Sequence, residues 1–126
     1  MNSPAFLQGF RALDLTTLSG QLCGRMLADL GMEVIKIEPP GGDPVRKLAP
    51  FVKLPNGSEL STPFAHLNAG KASKVLNLDK EADREVFRKL VETAQDLDVK
   101  LVAVDGESNQ AAATLILDGL SLVLRD

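Results

Sequence analysis

Arg11-Ala12-Leu13-Asp14-Leu15, the run from Gln21 to Gly31, and Glu33-Val34-Ile35-Lys36-Ile37-Glu38 decide the fold. The first is a short apolar strand. Thr16-Thr17-Leu18-Ser19-Gly20 is a small polar turn, and after it the period changes. Leu22, Met26, Leu27 and Leu30 recur at helical spacing, which predicts a helix with one apolar face turned inward. Gly31 falls where a left-handed C-cap belongs. The third piece is rich in β-branched residues and reads as a strand, which Pro39-Pro40 and Gly41-Gly42 then end. Residues 9–38 therefore form a strand–helix–strand unit, whose connection is long enough for a parallel pair.

Working outward, residues 39–70 hold most of the prolines and only short apolar pieces, and are expected to be a long loop. Regular pattern returns over 74–124 as βαβαβ. Its first strand is Lys74 to Leu78, with Asp79 placed to cap a helix carrying Val86, Phe87, Leu90, Val91 and Ala94 on one face. Glu85 and Lys89 stand at i, i+4 on its outer side. Val99 to Val104 is nearly continuous apolar, as a strand covered on both faces should be. A helix from Asn109 to Gly119 and a strand from Leu120 to Leu124 complete the series. The prediction is one α/β domain over 1–126: a Rossmann-like three-layer sandwich, with about five mostly parallel strands and helices on both faces.

Composition excludes several functions. With 44 % hydrophobic and 25 % charged residues the chain can bury one core. A net charge of -3 with the signs interspersed gives no footprint for nucleic acid. No apolar run is long enough to span a bilayer, and the start lacks a signal-peptide pattern, so a cytoplasmic protein is expected. A lone cysteine, Cys23, and a lone histidine, His66, rule out an internal disulfide and a Cys- or His-clustered metal site. Cys23 reads as a small core residue and His66 as a structural one.

Three segments could carry chemistry. The Thr16–Gly20 turn joins a strand end to a helix start, where backbone N–H groups can meet phosphate. It lacks both the G-x-G-x-x-G and the G-x-x-x-x-G-K-[ST] patterns, and an ordinary turn with Ser19 as helix cap reads as well. Glu38 to Arg46 is either a rigid lip over a ligand or a Pro/Gly turn with Asp43 and Arg46 solvated. Lys71 and Lys74 could meet phosphates as point charges, although lysines ahead of a strand are ordinarily solvated. Asp14, Glu38 and Asp43 show no pairing by spacing alone.

Gly9 to Thr16, Gly20 to Gly31, Glu33 to Arg46 and Phe64 to Asp79 follow one another in an order and register that resemble the opening of the class III CoA-transferases. That family includes formyl-CoA and carnitine CoA-transferases and the α-methylacyl-CoA racemases. The resemblance implies a Rossmann-like lobe that carries coenzyme A or an acyl-CoA near the strand ends. Carried over, the contacts would be backbone at Thr17 and Leu18, Lys71 near phosphate, and Leu76 against the adenine side. Pro39 and Ala72 stand where many relatives have basic residues, and Gln21 replaces a usual proline. No residue here matches the transferase aspartate, so no catalytic residue is assigned and no catalysis by these residues alone is expected. Two alternatives stay open: a self-association or protein-interaction module on a vestigial fold, and one part of a split transferase or racemase. A homodimer or a partner chain is expected, and neither nucleic acid nor membrane.

Overall fold

The computed structural model describes residues 6–95 and 100–103. Its centre is a parallel sheet of β1 (Arg11–Asp14), β2 (Glu33–Glu38), β5 (Ala72–Val75) and β6 (Lys100–Ala103), in the order β5-β2-β1-β6. All three pairings are parallel, with Leu13 opposite Ile35 and Val102, and Ile37 opposite Lys74. Helices α1 (Gln21–Asp29) and α3 (Glu81–Gln95) cover opposite faces. This is the expected α/β sandwich. The predicted helix from Asn109 and the strand Leu120–Leu124 lie outside the described residues.

Strand alternation separates the two faces. Leu13 and Leu15 point with Ile35 and Ile37 toward α3, where Phe87 and Val91 close an apolar core with Leu76. Leu13 and Phe87 are 0 % and 1 % exposed. On the other face Ala12 and Val34 pack with Met32 against Leu27 and Ala28 of α1. Further along that face the side chains become Asp14, Lys36 and Glu38, all buried.

Three expectations are corrected. Residues 39–70 do not form a plain loop. They hold a 3-10 turn (Pro44–Lys47), a hairpin of β3 (Phe51–Lys53) and β4 (Glu59–Ser61), and helix α2 (Thr62–Asn68), which packs on α1. Local polar chemistry builds them. Asp43 accepts from the Val45 N–H, Ser61 caps α2, and the Ser61 hydroxyl donates to the carbonyls of Val45 and Leu48. Secondly, β5 starts at Ala72, two residues before Lys74, because Ser73 and Lys74 pair with Lys36 and Ile37. Leu76 follows the strand and drops into the core.

The third correction concerns α1. Its buried residues are Gln21 and Gly24, while Leu22, Met26 and Leu30 are exposed, as are Leu18 and Cys23. Gly24 explains the turn of the helix: a Cβ there would lie 2.6 Å from the Asp14 carboxylate and 3.0 Å from the Lys71 ammonium. The helix can ride over that ion pair only because position 24 carries no Cβ. Gly31 ends the segment at φ +98, the left-handed conformation expected of it. The N-cap is Gly20, without a side-chain cap, and not Ser19. On α3, Glu85 meets Arg88 at 3.1 Å, and Asp83 reaches back to accept from the Asn77 N–H.

Candidate functional site

A cleft of about 420 Å³ opens at the carboxyl ends of β1, β2 and β5. The turn after β1 contributes Leu15, Thr16 and Thr17. The exit of β2 contributes Ile37 to Pro40 with Asp43 and Pro44, and the segment after β5 contributes Leu76 to Asp79. In open parallel sheets this end of the strands is where ligands sit, because the strand-to-helix turns bring free backbone groups and helix starts together. The floor is apolar, made of Leu15, Ile37, Leu76 and Leu78.

Behind the cleft lies a buried polar network. Asp14 Oδ1 accepts from the N–H and the hydroxyl of Thr16 at 2.9 and 2.5 Å, which folds the β1–α1 turn back on the strand. Asp14 Oδ2 pairs with Lys71 Nζ at 2.5 Å, the two side chains being 2 % and 1 % exposed. Lys71 also donates to the Gln21 carbonyl at 2.8 Å and to Asn68 Oδ1 at 2.9 Å. Asn68 Nδ2 donates to Gln21 Oε1, and Gln21 Nε2 donates to Asp43 Oδ2 and to the Thr16 carbonyl. Lys36 Nζ stands 3.0 Å from Asp43 Oδ2, an ion pair with both side chains nearly inaccessible. Burial pulls the Lys71 ammonium below the usual lysine range, with Asp14 opposing it.

Glu38 anchors a second knot. Arg46 grips its carboxylate through two bonds of 2.6 and 2.7 Å, while the Asp43 N–H and the Ser73 hydroxyl donate to it. The Arg46 guanidinium, with the other two donors helping, holds the Glu38 carboxyl down to about 2 against the opposing effect of burial. Arg46 also lies 3.9 Å from the centre of the Phe64 ring, a cation–π contact that ties the 3-10 turn to α2. Asp43 and Glu38, the buried acids of the cleft wall, are thus already matched by Lys36 and Arg46, while Asp79 lines the cleft from an exposed position.

Among the carried-over residues, Thr17 and Leu76 line the cleft. Leu18 is exposed on the turn. Lys71 points inward to Asp14, Gln21 and Asn68. Asp43 and Arg46, read as solvated, are instead a buried acid and the clamp on Glu38. The residues that sequence reasoning missed are Lys36, Gln21 and Asn68. A signal existed for Lys36: it shares a face with Val34 on a strand covered on both faces, so its charge had to be buried and paired. His66 sits on α2 with its Nδ1 3.2 Å from the Arg25 guanidinium. Among the described residues no group of His, Cys, Asp or Glu could hold a metal ion, and no helix is long and apolar enough to cross a membrane.

The CoA-transferase family III model matches residues 7–107. Over 89 residues the chain is 45 % identical to succinyl-CoA:mesaconate CoA-transferase of Haloarcula marismortui, covering 70 % of this chain and 22 % of that protein. It is 42 % identical over 81 residues to the BbsE subunit of succinyl-CoA:(R)-benzylsuccinate CoA-transferase of Thauera aromatica, covering 64 % and 20 %. The chain therefore spans about a fifth of the length of these curated relatives. The crystal structure of Rv3272 from Mycobacterium tuberculosis superposes with a TM-score of 0.70 at 36 % identity, over 92 % of this chain and 30 % of that one. A CAIB/BAIF family protein from Brucella suis gives 0.66 at 34 %, over 81 % and 26 %. With the family model covering most of its length, the chain belongs to CoA-transferase family III.

Proposed function

We propose that these residues form the coenzyme-A-carrying lobe of a class III CoA-transferase, with the cleft seating the adenine end of CoA or an acyl-CoA. One observation carries the reading: an apolar floor and a charge-neutralised wall lie together at the strand ends. A purine ring is flat and largely apolar, with hydrogen-bonding edges, and it suits such a surface better than a phosphate does. Thr17 and Asn77 stand at the rim to meet those edges. The acyl-CoA substrates in the names of the relatives support the same ligand class.

Lys71 adds little to phosphate binding in this reading, since its three donors already have protein acceptors. Each charge-assisted hydrogen bond so withheld weakens binding by ~1.5–3 kcal/mol, so modest affinity is expected. The lobe supplies no nucleophile. Transfer chemistry would need the family's aspartate, on further sequence or on a partner chain. A cytoplasmic setting and assembly with a second copy or such a partner belong to the same proposal.

Calorimetric titration with CoA tests it. Saturable binding is expected, with ADP competing because it shares the adenine end. Thr17→Trp, which fills the mouth of the cleft from a half-buried position, should abolish the heat while the circular dichroism spectrum stays unchanged. No heat from the wild-type chain at millimolar CoA would overturn the reading.

A further inference from the structure

We infer that Gln21 is a positioning residue that sets the width of the cleft. Gln21 is 0 % exposed and does not itself line the cleft. Its amide joins both cleft walls from behind. Nε2 donates to the Thr16 carbonyl, on the turn after β1, at 3.3 Å. The same Nε2 donates to Asp43 Oδ2, at the exit of β2, at 2.9 Å. Oε1 accepts from Asn68 Nδ2 of α2 at 2.8 Å. The amide orientation is forced, because two acceptors face the nitrogen and one donor faces the oxygen. Thr16 and Asp43 both line the cleft, and among the described residues no hydrogen bond or ion pair joins them directly. Gln21 thus spans the gap, and α2 holds Gln21 in place.

Fixing both walls before a ligand arrives removes an ordering cost from binding. This inference rests on the proposed CoA site, and it assigns to α1 a function that its outward apolar residues do not suggest. The informative variant is Gln21→Glu. It keeps the length of the side chain and the acceptor for Asn68, but turns the donor toward Asp43 into a second carboxylate oxygen. The charged groups around that position are Asp14 on β1, Lys36 on β2, Asp43 beyond it, and Lys71 ahead of β5. Beside Asp43 the introduced carboxyl repels when ionised and donates when protonated. Acid should therefore restore the link to Asp43, while the single O–H leaves the Thr16 carbonyl without its donor.

The experiment compares CoA affinity of wild type, Gln21→Glu and Gln21→Ala at several pH values, together with amide-exchange protection, corrected for intrinsic rates, over residues 39–47. At neutral pH both variants should bind about tenfold more weakly. As pH falls toward about 5, Gln21→Glu should regain protection over 39–47, where Asp43 lies, and part of its affinity. Gln21→Ala should regain neither. A variant that is merely less stable would show no such acid recovery. If wild type binds CoA and Gln21→Glu matches it, or stays weak at every pH, the inference falls. If wild type does not bind CoA, the proposed function falls, and protection decides the inference alone: acid-reversible loss over 39–47 in Gln21→Glu upholds it, unchanged protection overturns it.

Discussion

The two faces of the sheet are held by different physics although they share the same strands. Toward α3, Leu13, Leu15 and Ile37 meet Phe87 and Val91 without a charged atom among them. Toward α1 and α2, the neighbouring positions are Asp14, Lys36 and Glu38, each buried and each matched by an opposite charge. The first face is non-directional and draws its strength from area removed from water. The second gains little net energy, since desolvation offsets most of the attraction, but it fails badly when one partner is removed. The directional face is the one that fixes Thr16, Glu38 and Asp43 around the cleft. Apolar packing makes the lobe stable, and the charged face gives the cleft its shape.

The largest effects should come from breaking each face once and asking which break can be mended. Phe87→Ala removes a ring that is 1 % exposed and should cost ~3–5 kcal/mol in urea unfolding. Lys71→Met leaves the Asp14 carboxylate buried without its cation and should cost a similar ~3–5 kcal/mol. The two losses differ in repair. Adding Asp14→Asn to Lys71→Met removes the stranded charge and keeps an acceptor for Thr16, so about 2 kcal/mol should return. Adding Asp14→Asn to Phe87→Ala should return nothing. Simple additivity in the first pair would erase the contrast between the faces.

A middle-sized effect should appear on the acid side. The Glu38 carboxyl is held at about 2 in the folded chain, against 4.5 for an ordinary glutamate, chiefly by the Arg46 grip. The unfolded chain therefore binds the extra proton first as pH falls. The contribution is complete above 4.5 and is lost as pH drops through the window down to about 2. Glu38→Gln should lower stability by ~1–3 kcal/mol at pH 6 and flatten the dependence across that window. Urea midpoints measured from pH 6 down to pH 2 check both. An unchanged slope would mean that the clamp contributes nothing to folding.

How much of this was legible follows from the same contrast. Leu13 and Leu15, the Ile35–Ile37 strand and the Phe87–Val91 stripe announce themselves by period, and they gave the strand order its start. Period says that a stripe exists, but not which way a helix turns it. On α1 the sheet-facing side is Gln21 and Gly24 with Leu27 and Ala28, so Leu27 alone of the predicted stripe turns inward, because the ion pair beneath leaves no room for a side chain at Gly24. The excursion 39–70 read as a loop because its order comes from local polar caps and from Arg46 over Phe64, which have no period. Of the carried-over site, Thr17 and Leu76 reach the cleft through strand-end topology. Lys71 turns inward because Asp14, 57 positions earlier, offers a buried charge that spacing cannot reveal.

The smallest effect is the sharpest test of how α1 is turned. Leu22 and Met26 are 45 % and 58 % exposed, and lie on the helix side opposite Gln21 and Gly24. Were they the inward stripe that their spacing suggests, Leu22→Gln and Met26→Gln would each open a cavity and cost ~2–5 kcal/mol. On the outward side each leaves every core contact in place, and glutamine is as good a helix former as methionine. The expected change in urea unfolding is within ~0.5 kcal/mol for each. Gly24→Ala, between the two in sequence and on the other side of the helix, adds only a methyl group but pushes it to 2.6 Å from Asp14. It should cost more than both surface substitutions combined. A reversal of that order would mean that α1 presents its leucines to the sheet, and that the Asp14–Lys71 pair is packed by something other than bare backbone.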